Sequence, residues 1–448
     1  MARIDRRERS RAMFWVLLFL AVQIVCQLAL LRDEFQPVRK FVRAGSFGIN
    51  LVFLAIIVGR THIDFVGKLL IGALGLLAIG FFHPETNSLV TAVGVVVFYG
   101  SVFASLFWVS RLRIELDTLR VLMIAFWSFH AMSASVGVLQ TYFPGQFQGA
   151  LSTVIESSPY GAAGLVIQLD SGEQIFRPMG LTDSPGGAAV SGMYVCLLGM
   201  ALLLDKRYRW WGLVFAAGMI AGLYCLLLCQ LRVFVVSLFI CAVTFLLTLA
   251  YRGEGGRLMK LGGWLVGIVV LGSLWAVSIG REAVVSRMST LLADDPIAVY
   301  QGNRGQFLVH TFDRTIWEHP LGAGLGRWGM VNNYFGDRAT SLWAEINWTA
   351  WCYDGGIPLM ALFAFIMLYL IYRAFRLTAG AHATEWRIWG AMLVAYNMAF
   401  LATTFCACPL LSQIGVEFFL INAVVYTAWR HDMHLRRTLA ARRVSAAG

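Results

Sequence analysis

Stretches of about 20 apolar residues recur along this chain of 448 residues, and a helix of that length crosses the hydrocarbon core of a bilayer. The chain is 58% hydrophobic and 14% charged, whereas soluble domains carry about 25% charged residues. The sequence therefore excludes a soluble enzyme and predicts an all-α fold, a polytopic transmembrane bundle of about twelve spans that forms one membrane domain over residues 1–448. The predicted spans cover residues 13–31, 44–59, 68–82, 88–110, 119–143, 186–204, 210–229, 233–250, 261–279, 355–372, 388–407 and 410–428.

Charge in the connecting segments predicts the orientation of these spans. If both termini are cytoplasmic, 24 of the 36 Lys and Arg residues lie inside, against 9 of the 25 acidic residues. Cytoplasmic loops carry an excess of Lys and Arg, which favours this orientation. The predicted active site then lies on the side of the membrane opposite the termini. The net charge of +11 thus indicates membrane orientation and no nucleic-acid partner.

Two long outer loops hold most of the polar residues outside the spans. The first covers residues 144–185 and the second covers 280–354, whereas the inner loops are short. A membrane protein with its polar mass on one side is expected to act there, so the second loop is the predicted catalytic region.

Arg232 stands between two apolar runs with almost no loop, in the sequence LLLCQLRVFVVS. An arginine near hydrocarbon costs free energy unless it finds a partner. Two readings stay open, a contact with a lipid headgroup and an anion site at the outer membrane face. A guanidinium suits the second because it can donate two hydrogen bonds to a phosphate.

The second outer loop contains the sequence NRGQFLVHTFDRTIWEHPLGAGLG. Asn303 is predicted to cap an amphipathic helix that starts at Arg304 and ends at His319-Pro320. This helix should lie at the membrane surface and place Arg304 on its first turn, where the helix dipole also favours an anion. A solvated surface arginine is the alternative. The glycines after Pro320 indicate a tight turn against the bundle rather than a nucleotide loop, which would follow a strand.

Glu345 lies among aromatic residues just before a predicted span, in SLWAEINWTAWCYDGG. Apolar rings raise the pKa of a carboxyl group, which suits a general base near neutrality. A capping or salt-bridged glutamate is the alternative. Asp354, which precedes two glycines, is predicted to be a turn or cap residue.

Arg177 is the one Lys or Arg of the first outer loop, in FRPMGLTDSPGG. It is a candidate third anion contact, and Asp183 is predicted to cap the helix that follows. His130 is expected to be a satisfied interior histidine, and Glu417 a partner for an arginine. The eight cysteines lie mostly in apolar runs and are expected to act as small hydrophobic residues, although Cys406 and Cys408 could pair. No metal or cofactor is predicted.

Taken together, these features resemble the O-antigen ligase and polysaccharide polymerase family of bacterial inner membranes. The matching pieces are the R-P-x-G…S-P-G element from Arg177 to Gly186, the isolated Arg232, and the N-R…H-P-L-G-x-G-x-G run from Asn303 to Gly326. A Gly-Gly-Ile helix start at Gly355 follows them. The resemblance covers roughly residues 170–375.

The resemblance implies a metal-independent enzyme that transfers sugar chains carried on undecaprenyl diphosphate at the periplasmic face. It implies that Arg232 and Arg304 hold the lipid diphosphate, with Arg177 as a further contact. Family ligases carry a histidine, usually followed by Asn, where this chain has Glu345-Ile346-Asn347. Glu345 is therefore the candidate replacement for the base.

The leading hypothesis is a polymerase that extends an O-antigen or exopolysaccharide from lipid-linked repeat units. Its partners would be the lipid-linked oligosaccharide, the bilayer, and proteins that regulate chain length or export. A ligase that transfers the glycan to a lipid A core or a protein is the second hypothesis. A flippase or other transporter is the third, and it predicts buried mid-span charges and an internal repeat, neither of which the sequence indicates.

Overall fold

The computed structural model describes residues 6–59, 63–149, 166–168, 174–184, 186–289, 298, 300–381 and 383–447. Twelve long helices account for most of these residues, and each predicted span coincides with one of them. The helices are α1 (Arg6–Leu30), α2 (Arg39–Ile56), α3 (Phe65–Ile79), α4 (Leu89–Val109), α5 (Leu116–Tyr142), α6 (Gly187–Leu204), α7 (Gly212–Leu228), α8 (Arg232–Tyr251), α9 (Gly255–Ser289), α10 (Asn347–Gly380), α11 (Thr384–Thr404) and α12 (Gln413–Ala447).

Nine helices of the described chain are long and apolar enough to cross a membrane, so the chain is a multi-pass membrane protein. The three others are α2, α11 and α12. Each of these carries charged or amide side chains within its apolar sequence, such as Arg43 in α2 and Asn397 in α11. The total of about twelve spans therefore stays a prediction.

Helix α6 occupies the centre of the bundle and is the most buried of the nine candidate spans. It packs against α5, α7, α8 and α11. Its small residues allow close approach, because the backbone of Gly192 lies against the backbone of Gly222 in α7. A second set of helices, α1, α2, α3, α4, α10 and α12, surrounds Trp108, Trp351 and the other buried aromatic side chains of that half.

The helices alternate in direction, which gives the bundle two distinct ends. The terminal end holds the start of α1 and the last part of α12, because Glu8 and Arg430 both contact the turn between α4 and α5. The loop end is the opposite one, where residues 177–184, the turn before Arg232 and residues 300–347 meet. Both predicted outer loops therefore emerge at the same end.

The predicted outer loops differ from the structure in extent and content. The first contains two short antiparallel strands, Val166–Gln168 paired with Gln174–Phe176, which an all-α prediction lacks. The second is shorter than residues 280–354, because α9 continues to Ser289 and α10 already begins at Asn347. Residues 150–165, 169–173, 185, 290–297 and 299 belong to these loops and lie outside the described residues.

The amphipathic segment of the second loop is helical from Gln301 to Glu318, as predicted, and we call it the loop helix. It consists of two π-helical stretches, Gln301–Gly305 and Thr311–Thr315, each followed by a short α-helical stretch, Gln306–His310 and Ile316–Glu318. Thr311 and Thr315 are buried, whereas the apolar side chains Val309, Phe312 and Trp317 are exposed. An exposed apolar stripe on a helix is typical of contact with a membrane surface.

Candidate functional site

Residues 177–184 of the first loop are hydrogen-bonded to side chains in the second half of α5. The side-chain carbonyl of Gln140 accepts hydrogen bonds from the backbone N–H groups of Met179 and Gly180, at 2.8 Å each. The hydroxyl of Ser133 accepts another from the N–H of Leu181, at 3.0 Å. These three bonds satisfy backbone donors that are buried in the bundle and fix the position of Arg177 at the loop end.

The turn that carries Arg232 packs against this fastened segment. The thiol of Cys229 lies 3.8 Å from the carbonyl oxygen of Pro178, and the backbone of Gly186 approaches the side chain of Leu231. Gly186 has φ +79°, a conformation that favours glycine, and a Cβ atom there would collide with Leu231. Arg177 and Arg232 are thus brought to neighbouring segments, although 55 residues separate them in the sequence.

Arg304 and Glu345 form an ion pair in the second loop. The Arg304 side chain is 44% exposed and the Glu345 side chain 19%. The indole N–H of Trp343 donates a further hydrogen bond to Glu345, at 3.0 Å. Glu345 is therefore a salt-bridged glutamate, which was the alternative to a carboxyl group among apolar rings. A guanidinium and an indole N–H both contact its oxygens.

The prediction that Asn303 caps the loop helix and that Arg304 stands on its first turn is wrong. Helical backbone geometry is already present at Tyr300, so Arg304 lies inside the first π-helical stretch and not at a helix start. Burial lowers the pKa of Arg304, and the nearby thiols of Cys406 and Cys408 act in the opposite direction. A guanidinium stays protonated even so, and it keeps its charge at working pH.

Arg232 and Arg304 lie near the same helix terminus, the end of α11. One turn and a half beyond Arg232, the hydroxyl of Ser237 is 2.9 Å from that of Thr403. On the other side, the Tyr300 hydroxyl donates to the carbonyl of Phe405, at 3.1 Å, just before Arg304. The structure therefore places both predicted arginines at the loop end, on segments that contact adjoining residues of α11 and its continuation.

The glycine-rich turn after Pro320 is wedged between two helices of the bundle, as predicted. The N–H of Asn87 donates to the carbonyl of Leu325, and the N–H of Ile357 donates to the carbonyl of Pro320. Gly356 has φ +62°, and a Cβ atom there would collide with the Pro320 carbonyl. Glycine is required at this position, where the kink within α10 packs against the second loop.

Asp354 lies at a turn, as predicted, because Gly355 and Gly356 directly after it leave the helical conformation and kink α10. It lies within α10, which starts seven residues earlier than Asp354, and it is buried. One carboxylate oxygen accepts from the Trp328 indole and the other from the Tyr99 hydroxyl, at 2.8 Å each. Asp354 thereby ties the second loop to α4.

Asp183 is not the predicted helix cap. It is buried, and its Oδ2 atom forms ion pairs with both Arg39 and Arg43. Sequence reasoning missed these two arginines of α2. A signal was present, because Arg39, Lys40 and Arg43 are basic residues at the outer end of a predicted span, where the positive-inside rule leaves few.

The two ionisable residues noted inside the spans lie close to each other. Nε2 of His130 is 3.9 Å from a carboxylate oxygen of Glu417, and the imidazole stacks on Tyr194 with a centroid separation of 4.4 Å. His130 is interior as predicted, but it is only partly satisfied, because Nδ1 contacts the Ser191 hydroxyl at 3.3 Å while Nε2 has no hydrogen-bond partner among the described residues. The basic group nearest to Glu417 is this histidine, and no arginine forms an ion pair with Glu417 within the described part of the chain, so the prediction of an arginine partner is wrong.

A cavity of about 500 Å³ lies between α1, α2, α5, α6 and α12 at the loop end. Its rim is polar and includes Arg43, Asp183 and Tyr334, whereas Phe47, Phe126 and other apolar side chains form its walls. None of Arg177, Arg232, Arg304 or Glu345 lines it. The loop end therefore contains two separate candidate sites, the predicted arginines and this cavity.

Comparison of the chain with protein-family models and with curated protein sequences found no match. The site is therefore interpreted from its own residues. The eight cysteines are free thiols, so Cys406 and Cys408 do not pair. Within the described residues, no three His, Cys, Asp or Glu side chains are grouped as metal ligands would be.

Proposed function

We propose that this protein is a polysaccharide polymerase. It transfers a growing glycan from undecaprenyl diphosphate to the non-reducing end of another lipid-linked repeat unit, at the periplasmic face of the inner membrane. The observation that carries the proposal is the gathering of Arg177, Arg232 and Arg304 at one end of a membrane-embedded bundle. Arginine is the side chain best suited to a diphosphate, because its planar fork donates two parallel hydrogen bonds and remains charged.

In the proposed reaction, a hydroxyl oxygen of the acceptor sugar attacks the anomeric carbon of the donor glycan. The bond between that carbon and the diphosphate oxygen breaks in line with the attack, so the configuration inverts. Undecaprenyl diphosphate leaves as an anion, and the guanidiniums of Arg232 and Arg304 stabilise the charge that develops on the departing oxygen. Glu345 accepts the proton of the attacking hydroxyl.

In this proposal, the ion pair between Arg304 and Glu345 links binding of the donor to activation of the base. A diphosphate that binds Arg304 competes with the Glu345 carboxylate for the same N–H donors. Binding of the donor would therefore release Glu345 from Arg304, and a released carboxylate has the lone pairs that a general base needs. The base would then become available only when the leaving group is in place.

The test is turnover by purified protein in liposomes that contain a synthetic undecaprenyl-diphosphate-linked repeat unit. A ladder of longer products is expected by gel electrophoresis. Each charge-assisted hydrogen bond stabilises by about 1.5–3 kcal/mol, so Arg232→Ala and Arg304→Ala should each slow product formation by about 10- to 150-fold. Arg177→Ala should cause a smaller loss, as expected for a third contact.

Arg314→Ala is the matched control, because Arg314 lies on the same loop helix but is largely exposed and paired with Glu318. It should leave the ladder unchanged, and thermal melts should show that all the variants fold. A normal ladder from both Arg232→Ala and Arg304→Ala would contradict the diphosphate role. Transfer to an added lipid A core acceptor instead of chain growth would identify a ligase, and lipid movement without new bonds a transporter.

A further inference from the structure

The cavity beside Arg43 has the chemistry of a site for an anionic lipid. At its rim, the guanidinium of Arg43 stands against Asp183 and the Tyr334 hydroxyl. Both Arg39 and Arg43 contact the same carboxylate oxygen of Asp183. A guanidinium has five N–H donors, so a phosphate can join this cluster without displacing Asp183.

Below the rim, the lining is mostly apolar, although Gln23, His130 and Glu417 also line it. Phe126 and Phe129 of α5 and Leu420 of α12 face the cavity. On α1 the lining runs from Gln27 to Leu17, ten residues that span about 15 Å at a rise of 1.5 Å per residue. The cavity thus extends from the loop end toward the middle of the bundle, and its volume of about 500 Å³ suits one lipid chain rather than the two chains of a phospholipid.

The first loop connects this cavity to the predicted diphosphate site. Arg177 stands at one end of the segment that Gln140 and Ser133 hold in place. Thr182, Asp183 and Ser184, a few residues further on, line the cavity. A polymerisation reaction needs two lipid-linked substrates, and the arginines at 177, 232 and 304 account for one of them.

We propose that the cavity beside Arg43 is a second lipid site, which holds the prenyl diphosphate of the acceptor while Arg232 and Arg304 hold that of the donor. The ligand class is a single-chain isoprenoid with a phosphate or diphosphate head. The choice of an isoprenoid chain rests on the proposed function. The anionic head and the single chain follow from the guanidinium at the rim and from the apolar walls.

The experiment is a binding measurement on full-length protein in phosphatidylcholine nanodiscs, with radiolabelled farnesyl diphosphate as the probe and no glycan present. Because binding at Arg232 and Arg304 would also be counted, the background protein carries Arg232→Ala and Arg304→Ala. Farnesyl diphosphate is expected to bind at least about tenfold more tightly than farnesol, since a charge-assisted contact contributes about that factor. Inorganic diphosphate alone should not displace it.

Two variants separate the head contact from the walls. Arg43→Gln should abolish the preference for farnesyl diphosphate over farnesol. Val190→Phe fills the cavity from α6 and should weaken the binding of both probes at least about tenfold, because a filled cavity leaves no room for the chain. Val121→Phe is the matched control, since Val121 lies on the exposed face of α5 away from the cavity.

Equal binding of farnesol and farnesyl diphosphate, or unchanged binding in Val190→Phe with a normal melt, would overturn the proposal. Displacement by inorganic diphosphate as effective as by the prenyl form would do the same. These outcomes are distinct from a failure of the proposed function. Cavity binding without any polymer product would refute the polymerase alone, and a normal ladder without cavity binding would refute the second lipid site alone.

Discussion

At the terminal end, Arg120 donates two hydrogen bonds to Asp205, at 2.7 and 3.0 Å, and the side chains are 10% and 0% exposed. At the loop end, Arg304 pairs with Glu345 on a surface segment and is almost half exposed. The first pair joins α5 to the end of α6, and the second joins two parts of one loop. A buried arginine that joins two helices, such as Arg120, therefore has a structural role. An exposed arginine on a loop, such as Arg304, is one that a ligand can reach.

The same contrast holds for neighbouring pairs. Arg387 donates to Glu254 at 2.9 Å and Arg373 to Asp64 at 2.5 Å, and both connect helices at the terminal end. At the loop end, Arg43 is part of a cavity rim. A charge that ties helices together is expected to act on stability, whereas a charge beside a cavity or on a loop is expected to act on binding and turnover.

The largest expected effect is on stability at the terminal end. Arg120→Ala leaves the buried carboxylate of Asp205 without its guanidinium, and loss of one partner of a buried pair costs about 3–5 kcal/mol. We expect a strong fall in the thermal midpoint of the protein in detergent, and a low yield of folded protein. Arg314→Ala is the control and should have little effect. A thermal midpoint of Arg120→Ala equal to that of the wild type would contradict a stabilising role for the arginine pairs of the terminal end.

The next effect is on turnover at the loop end. Glu345→Gln removes the proposed base and should slow product formation by at least about 100-fold, since general base catalysis contributes about 10²–10⁴-fold. The melt should stay close to that of the wild type, because the Glu345–Arg304 pair is partly exposed. Initial rates and melts of the same preparation check both statements. Full turnover by Glu345→Gln would exclude Glu345 as the base.

A smaller effect is expected where the second loop meets α10. Gly356→Ala should destabilise the protein by about 1–3 kcal/mol, because alanine is strained at φ +62° and its Cβ would meet the Pro320 carbonyl. Gly253→Ala is the matched control at the terminal end, with φ +69° and open space around the glycine. Thermal melts should show the larger fall for Gly356→Ala, and the reverse order would mean that docking of this turn contributes little.

The smallest effect concerns pH. Burial lowers the pKa of His319, so the folded protein resists protonation there more than the unfolded chain does. The unfolded state then binds more protons as pH falls through about 6.5, and the folded state loses stability over that range. Melts at pH 7.5 and 5.5 should show a small fall for the wild type and a smaller one for His319→Gln. His434→Gln is the control, because His434 is exposed in the last helix, and it should behave like the wild type. An equal fall in thermal midpoint for the wild type and both variants would show that His319 does not cause the pH dependence.

The helices were predictable because length and apolarity alone decide which segments can cross a bilayer, and all twelve predicted segments coincide with helices. The paired strands Val166–Gln168 and Gln174–Phe176 and the early start of α10 at Asn347 were not predictable in the same way. Short strands and polar helix turns are stabilised by tertiary contacts rather than by hydrophobic length. For the same reason, the glycine pair predicted the turn at Asp354, but nothing in the sequence indicated its hydrogen-bond partners, Tyr99 and Trp328.

The sequence by itself determined that this protein is a multi-pass helical membrane protein, because no other arrangement can hide so much apolar surface. It also singled out Arg232 as a charge between two apolar runs, and Arg177 and Arg304 as candidate anion contacts in the two outer loops. Only the tertiary structure decided that the segments carrying Arg232 and Arg304 both contact the end of α11, that Arg304 is held by Glu345, and that Arg43 borders a cavity. The physical reason is that hydrophobic length is a local property of the chain, whereas the partner of a charge is set by residues far away in sequence that packing brings within hydrogen-bonding distance.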